Sequence, residues 1–464
     1  MRLSVALTLG AAAGLLAATQ PIADTDLFWH LATGRETLAH GPVRTDVFSW
    51  TVRGAPVSVD QWLGQLALYG AYAALDWRGI ALLRVVAVGA LLALVVWNAS
   101  AGRVRPLAAV VGAVPATALT RPLWVDRPEL LGLVCFAALL PLLRAARAGD
   151  GRAAGATVLL VALWANVHGS FALGVVLTVA VALEGVLRDR SRARRHALLA
   201  LAAVGASLLT PAGLATWTAP GYHLLSPPRD IEEWRLIDIA TPLGAGYALT
   251  LGLVLAAALL GPRLGTRELV VLLPVALLSL TAARQAPLLA IAAAPLLATT
   301  AQRAIERVTR ARAGSAARGS SVASERRKEG PGRAVALAIP GLLIAAAAAI
   351  APTAPDERAY PVAALTSLPN GDGVLARYEW GGWLIWRAPA TPVFIDGRFT
   401  PYLGAVLDDY RRVVTAAPGW EETLRRRGVS ALLLAPEDPA ALRARELGWR
   451  VLAASDDAIF IAVP

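Results

Sequence analysis

The densest cluster of polar side chains follows the first apolar stretch, where Asp24 and Asp26 stand one residue apart and His30 comes four residues after Asp26. Two neighbouring carboxylates can serve as acid and base, or together hold a divalent cation such as Mg²⁺ or Mn²⁺. If a helix begins near Thr25, Asp26 and His30 share one of its faces. The alternative is that Asp24 or Thr25 only caps a helix that ends near Gly41.

A second polar group combines charges of both signs in the stretch from Arg121 to Glu129. Arg127 could grip a phosphate group through two hydrogen bonds, while Asp126 or Glu129 orients that group or binds a metal. Alternatively, Asp126 or Glu129 caps a helix and the arginines contact lipid headgroups. Both interpretations are consistent with the sequence.

Three more residues interrupt or border apolar stretches. His168 stands in an Asn-Val-His-Gly sequence inside a long apolar run, where a polar group is costly enough to suggest a role, although these residue types also suit a turn. Arg284 lies between two apolar segments, where an anionic ligand such as a lipid phosphate would fit. Glu233 could line a polar cleft or could simply be solvated.

Several catalytic signatures are absent from the sequence. It contains no G-x-x-x-x-G-K-[ST] nucleotide loop, no H-E-x-x-H zinc motif and no G-x-S-x-G nucleophile motif. Cys135 is the only cysteine, which excludes an internal disulfide and a cysteine-based metal site. Nucleotide-driven transport and serine or zinc hydrolysis are therefore disfavoured.

The elements that must position these residues are mostly apolar helices. The 464 residues are 56% hydrophobic and 17% charged, with a mean hydropathy of +0.55, so lipid must be part of the solvent. Apolar runs recur from Leu3 to Ile350 and predict an α-helical polytopic membrane protein with about eleven transmembrane helices. We expect residues 1–351 to form this membrane domain, with an extracytoplasmic loop at residues 21–79. The first run could instead be a cleaved signal peptide.

Positive charge is concentrated in alternate loops between the apolar runs. The net charge is +11, and Lys328 is the only lysine. Because arginine-rich loops stay in the cytoplasm, the polar clusters described above should face outward. This pattern favours a membrane over nucleic acid as the partner of the basic residues. With Asp60 outside, only one span fits before Arg103, so we expect the segment from Gln61 to Asp76 to lie in the membrane interface.

Two segments differ in composition from the apolar runs. Residues 301–333 are rich in Arg, Ser, Gly and Ala and are predicted to be a solvated cytoplasmic linker. From residue 352 onward, strand and helix patterns alternate, which predicts a small α/β domain at residues 352–464, extracytoplasmic by topology. Its strand at Val393–Asp396 ends in Asp-Gly-Arg, a place where sites often occur. We favour instead that its many aromatic residues rest on the membrane or the helices.

The chain resembles a family of polytopic bacterial membrane proteins related to the GT-C glycosyltransferases, which use polyprenyl-phosphate-linked sugars at the outer membrane face. The matching segments cover nearly the whole chain: Asp24–Leu31, Thr45–Ser49, Trp164–Gly169, Glu233–Trp234, Tyr378–Trp386 and Phe394–Arg398. The family usually has two tryptophans before the histidine of the first segment, and here the first of them is Phe28.

This resemblance implies a membrane glycosyltransferase that moves a sugar from a polyprenyl-phosphate-linked donor to an envelope glycan, lipid or protein acceptor, with inversion. It implies a base or metal ligand at Asp24 or Asp26, a second acidic residue at Asp126 or Glu129, and Arg284 at the lipid phosphate. Two alternatives are a non-catalytic transporter or assembly partner for lipid-linked glycans, and a polysaccharide polymerase or ligase. A transporter would more naturally place ionisable residues along the membrane midplane.

Overall fold

The chain is mostly helical and divides into two compact units. The computed structural model describes residues 2–102, 104–226, 228, 231–261, 263–316 and 333–464. The first unit contains Met1–Gln20, Ala81–Val125 and Glu129–Ala351. The second contains Pro21–Ile80, Asp126–Pro128 and Pro352–Pro464. The C-terminal α/β segment thus shares one unit with the predicted extracytoplasmic loop.

Helices account for nearly all the regular structure before residue 352. In chain order they are α1 Arg2–Ala18, α2 Leu27–His40, α3 Trp62–Ala99, α4 Pro106–Thr120, α5 Pro128–Arg147, α6 Gly151–Val167, α7 Phe171–Arg188, α8 Ala193–Ser207, α9 Thr218–Leu225, α10 Pro242–Leu260, α11 Thr266–Ser279, α12 Ala286–Ala316 and α13 Arg333–Ile350. The predicted turn near His168 separates α6 from α7.

Many of these helices are apolar enough for a bilayer. Within the described ranges, six segments have the length and composition to cross a membrane: Trp62–Ala99, Pro106–Leu123, Pro128–Arg147, Phe171–Arg188, Pro242–Leu260 and Ala283–Arg310. Three shorter apolar helices accompany them, Leu3–Ala18, Gly151–Val167 and Ala338–Ile350. Large apolar side chains lie exposed on α10, where Leu259 is 82% exposed. A soluble protein does not expose apolar surface on this scale, which confirms a helical membrane protein.

Small residues allow close packing between α4 and α12 in the first unit. A Cβ atom on Gly112 would lie 2.6 Å from the backbone nitrogen of Ala298 and 2.7 Å from the carbonyl oxygen of Ala294. Neither distance is compatible with a side chain. Without a hydrophobic force between helices in lipid, backbone approach of this kind is a principal source of helix association.

Helix α3 is broken near its middle. Leu75 has φ −140° and Asp76 has φ 54°, neither of which is helical, so two helices meet there. The break coincides with the end of the predicted interfacial segment from Gln61 to Asp76. The part before the break carries Tyr69 and Tyr72, whose rings stack with centroids 6.4 Å apart.

The predicted linker at residues 301–333 differs in part from the structure. Residues 301–316 continue α12 instead of forming a loop. Polar contacts one turn apart support this extension, because Gln302 Nε2 donates to Glu306 and Arg310 pairs with Glu306 at 3.4 Å. Residues 317–332 of the predicted linker lie outside the described residues.

The C-terminal segment forms a mixed four-stranded sheet with short helices, as predicted. In chain order its elements are β1 Val374–Ala376, α14 Tyr378–Arg387, α15 Ala405–Val414, α16 Trp420–Arg427, β2 Ala431–Leu434, α17 Pro439–Glu446, β3 Val451–Ala454 and β4 Ile459–Ala462. The strand order is β1-β2-β4-β3. Strand β1 runs parallel to β2 with Val374 opposite Ala431, whereas the other two pairings are antiparallel.

The predicted strand Val393–Asp396 is not part of this sheet. Its backbone pairs instead with residues of the predicted extracytoplasmic loop: Trp50 N donates to the carbonyl of Val393, and Val393 N donates to that of Phe48, both at 3.1 Å. The second unit is therefore assembled from segments that are far apart in the sequence.

Aromatic packing joins α2 to the C-terminal segment inside the second unit. Tyr360 stacks on Trp383 with ring centroids 5.3 Å apart, and Phe28 meets the edge of Tyr360 at 5.4 Å. Phe28, Trp383 and Tyr360 are all nearly inaccessible to solvent. Buried aromatic pairs of this kind fix the first turn of α2 against α14.

Candidate active site

The two carboxylates predicted to be catalytic share one guanidinium group. Nε of Arg127 lies 2.8 Å from Oδ1 and 2.7 Å from Oδ2 of Asp24, and its NH1 lies 3.0 Å from Oδ2 of Asp26. The Asp24 side chain is 5% exposed and that of Asp26 is 20% exposed. A nearly buried carboxylate and a more accessible one therefore flank the same arginine.

Capping does not account for these carboxylates. Asp26 occupies the position before α2, yet its side chain makes no capping hydrogen bond. Oδ1 of Asp24 accepts a hydrogen bond from the backbone nitrogen of Asp26 at 2.9 Å, which closes a local turn before the helix begins. The turn orients both acidic side chains toward Arg127.

Trp29 also holds the Asp26 carboxylate. Its Nε1 donates to Oδ1 of Asp26 at 3.0 Å, from three residues along the chain. No role for Trp29 is predicted from the sequence, although the i to i+3 spacing on a helix beginning near Thr25 is a signal that could have indicated this contact.

His30 follows the acidic pair in the sequence, and its side chain is buried. It is 2% exposed, its Nδ1 lies 3.4 Å from Nε2 of Gln65, and its ring lies against that of Trp29 with centroids 3.6 Å apart. Asp126, which precedes Arg127, is 3% exposed. These two predicted site residues thus lie in the same unit as Asp24 and Asp26.

The metal site predicted at Asp24 and Asp26 has few protein ligands. No group of three or more His, Cys, Asp or Glu side chains that could hold a metal ion occurs in the described part of the chain. Arg127 already supplies positive charge to both carboxylates. Divalent cations in proteins usually take several carboxylate or carbonyl ligands, so this pair by itself does not fit a protein-built cation site.

Two tyrosines of the second unit stay protonated near the acidic pair. Burial and then the charges of Asp24 and Asp26 raise the pKa of Tyr360 above its usual value of 10. Burial and then the charges of Asp26 and Asp396 raise the pKa of Tyr378 in the same direction. Both rings therefore remain neutral over the physiological pH range.

Arg284 is the centre of a second ionic cluster, which lies in the first unit. Its NH2 is 2.6 Å from Oε1 of Glu129 and its NH1 is 2.8 Å from Oε1 of Glu233. The guanidinium carbon also lies 4.6 Å from the centroid of the Trp234 ring. Glu129 stands in the first turn of α5, Glu233 in the connection before α10, and Arg284 in the turn between α11 and α12.

Two histidines near this cluster are neutral at physiological pH. Burial lowers the pKa of His168, in the turn between α6 and α7, to about 4, with the charge of Glu129 opposing the shift. Burial and then the charge of Arg284 lower the pKa of His223 to about 4 as well. His168 Nδ1 lies 2.8 Å from Oγ of Ser170, which fixes its ring.

The predicted site residues therefore fall into two groups, one in each unit. Asp24, Asp26, His30, Asp126 and Arg127 belong to the second unit, and Glu129, His168, Glu233 and Arg284 belong to the first.

Comparisons with known proteins identify the fold. No protein-family model matches the sequence, and no curated protein sequence matches it either. Two of the solved structures that match are similar along nearly the whole chain. The oligosaccharyltransferase of Archaeoglobus fulgidus, determined with a tethered acceptor peptide, aligns with a TM-score of 0.61 at 14% identity over 94% of this chain and 69% of its own. ArnT from Cupriavidus metallidurans, in the apo state, aligns with a TM-score of 0.55 at 13% identity over 98% of this chain and 97% of its own. Both are GT-C glycosyltransferases, and the chain therefore has the fold of that class of membrane enzymes.

Proposed function

We propose that the chain is a membrane glycosyltransferase that moves a sugar from a polyprenyl-phosphate-linked donor to an envelope glycan, lipid or protein acceptor on the outer face of the bacterial cytoplasmic membrane. The observation that carries this proposal is the shared ion pair in which Arg127 joins Asp24 and Asp26. The similarity to solved GT-C structures also supports the proposal, because the chain has their fold.

In this proposal the general base is Asp26. It is the more exposed carboxylate of the pair and keeps one oxygen toward Arg127 while Trp29 holds the other. The base accepts the proton of an acceptor hydroxyl as the hydroxyl oxygen attacks the anomeric carbon. The bond from that carbon to the phosphate oxygen breaks, so the polyprenyl phosphate leaves with the bonding electrons and the configuration inverts.

Asp24 and Arg127 have supporting roles in this scheme. Asp24 is nearly buried and accepts two close contacts from Nε of Arg127, which fixes the guanidinium group. The fixed guanidinium group then orients Asp26 through the contact of its NH1 with Oδ2. No step of this scheme requires a divalent cation, because the acidic pair does not fit a protein-built cation site.

Arg284 is the proposed contact for the donor phosphate. A guanidinium group suits phosphate because its parallel N–H donors match two oxygens. Arg284 forms ion pairs with Glu129 and with Glu233. The Glu233 side chain is 31% exposed, so its contact is the one that an anionic donor would displace. His168 and His223, both neutral at physiological pH, would add no charge to this region.

The proposed orientation follows from the arginine-rich loops. About eleven spans place these loops in the cytoplasm and the C-terminal sheet outside, where lipid-linked sugars are used by enzymes of this class. The membrane lipids, the lipid-linked donor and the acceptor are the proposed partners.

A deletion strain gives the direct test. Mass spectrometry of lipid-linked sugars and envelope glycans should show one product lost in the deletion strain and restored by the wild-type chain. Asp26→Asn should fail to restore it. Glu36→Gln is the matched control, because Glu36 stands on the same helix in an exposed pair with His40, and such pairs contribute little. Unchanged profiles in the deletion strain, or full restoration by Asp26→Asn, would overturn the proposal.

A further inference from the structure

The backbone of Gly397 lies directly against the carboxylate of Asp26. A Cβ atom built on Gly397 would be 2.1 Å from Oδ1 of Asp26 and 3.1 Å from Nε1 of Trp29. The first distance is far shorter than any van der Waals contact. Only glycine fits here while Asp26 and Trp29 keep their present hydrogen bond.

The conformation of Gly397 does not itself require glycine. Gly397 is not among the residues with a positive φ, where other residue types would be strained. The close approach to Asp26 is therefore the reason that a side chain cannot be accepted at this position.

A buried network of charges holds the chain on both sides of Gly397. Arg398 contacts Asp396 through Nε at 2.8 Å and through NH2 at 2.6 Å, and its NH1 lies 2.5 Å from Oδ1 of Asp46. The hydroxyl of Tyr402 donates to Oδ2 of Asp396 at 2.5 Å. Both carboxylates have 0% exposed side chains, so the network is shielded from solvent and rigid.

Helix α14 also packs closely against the turn that carries Asp26. A Cβ atom on Gly382 would lie 3.1 Å from the carbonyl oxygen of Thr25 and 3.1 Å from Cδ1 of Trp29. One on Gly381 would lie 2.2 Å from the carbonyl oxygen of Ile395. The turn that carries Asp26 is thus enclosed by backbone from the C-terminal segment.

We propose that Gly397 is a positioning residue for Asp26, and that Asp396, Gly397 and Arg398 make the C-terminal segment part of the active site. Gly397 and Trp29 together fix Oδ1, which leaves Oδ2 on the side of Arg127. This inference rests on the proposed function, in which Asp26 is the base. It gives the Asp-Gly-Arg sequence a role different from resting on the membrane or the helices.

The test compares Gly397→Ala with Gly70→Ala in the full chain, by the product that the deletion strain loses. The new methyl group must push the Asp26 carboxylate or the Gly397 loop by about 1 Å, and displacement of that size costs on the order of 100-fold in rate. Gly70 lies in α3 of the same unit, and a Cβ atom added there would meet open space, so its alanine variant should keep wild-type product. Wild-type product from Gly397→Ala would overturn the inference.

A spectroscopic measurement separates positioning from general damage. In ¹⁵N-tryptophan-labelled full chain in nanodiscs, the indole signal of Trp29, identified by its absence in Trp29→Phe, reports the hydrogen bond to Asp26. Gly397→Ala should shift this signal as Asp26→Asn does, while most of the other indole signals keep their positions. An unmoved Trp29 signal would overturn the inference even if product were lost.

Tyr402→Phe provides a second variant if Gly397→Ala fails to insert. It adds no atoms and removes one hydroxyl from the network that holds the Gly397 loop. We expect product to fall roughly 10-fold, at the low end of the range for a group that acts through its neighbours, with a smaller shift of the Trp29 signal. If Asp26→Asn restores full product while Gly397→Ala still shifts the Trp29 signal, the proposed function fails and the contact with Asp26 stands.

Discussion

Asp24 and Asp26 share Arg127 but differ in exposure, so replacing each by asparagine should separate stability from activity. Asp24 is 5% exposed and both of its oxygens lie within 2.8 Å of Arg127 Nε. Breaking a buried ion pair costs about 3–5 kcal/mol. Because Arg127 would keep its contact with Asp26, we expect Asp24→Asn to cost about 2–3 kcal/mol, at or just below the lower end of that range.

Asp26→Asn should lose little stability but most of the product formation. Asp26 is 20% exposed and contacts Arg127 at 3.0 Å, and asparagine can still accept the hydrogen bond from Trp29. We expect a loss of about 1 kcal/mol in stability. Asparagine cannot accept a proton as a base, however, so product formation should fall about 10²- to 10⁴-fold.

The assay pairs thermal unfolding in one detergent with product measured in the complemented deletion strain at equal protein level. Asp24→Asn should show the larger drop in Tm, and Asp26→Asn the larger drop in product. If Asp24→Asn lowered product more than Asp26→Asn while remaining equally stable, the roles assigned to the two carboxylates would be reversed. If neither variant changed product, the acidic pair would be structural.

Three further outcomes are expected. Product formation in isolated membranes should survive treatment with EDTA to within about twofold, because Arg127 contacts both carboxylates and the pair by itself does not fit a protein-built cation site; a loss of product that Mn²⁺ or Mg²⁺ reverses would contradict this. Reporter fusions after Arg195 should lie in the cytoplasm and those after Gly221 and Pro464 outside, as the arginine distribution requires; a cytoplasmic Pro464 would overturn the topology. Burial lowers the pKa of His223 from 6.5 to about 4, so the unfolded chain binds a proton at higher pH than the folded chain does. The stability of the wild-type chain should therefore fall as the pH drops from 6.5 toward 4. The Tm of His223→Gln should depend less on pH over this window, and a pH profile identical to that of the wild type would exclude the contribution of His223.

Local patterns in the sequence were sufficient for much of the fold. The predicted alternation of strands and helices from residue 352 onward is present, because each short element is signalled by the residues next to it in the chain. The end of the helix near Asp76 was also predictable, since charge placement allowed only one span before Arg103. The residues Val393–Asp396 have a strand pattern but pair with a distant loop, which no local period reveals.

Contacts across long sequence separations were beyond local reasoning. Arg127 was predicted to bind phosphate or lipid, whereas it contacts Asp24 and Asp26, about a hundred positions earlier in the chain. Arg284 was expected at a lipid phosphate, and the structure adds its contacts with Glu129 and Glu233. Opposite charges in separate loops were the available signal, but many pairings satisfy it equally well.

The second unit is assembled from segments made at very different times. Ribosomes add about 5–20 residues per second, so roughly 14 to 54 s pass between the synthesis of Ile80 and that of Pro352. During this interval Phe28 and Trp29 lack the C-terminal residues that cover them, and Gly397 has not yet been made. A chain interrupted after α13 would lack the backbone of Gly382 and Gly397 that encloses the Asp26 turn. The positioning of Asp26 by Gly397 that we propose therefore depends on residues that are synthesised hundreds of positions after Asp26.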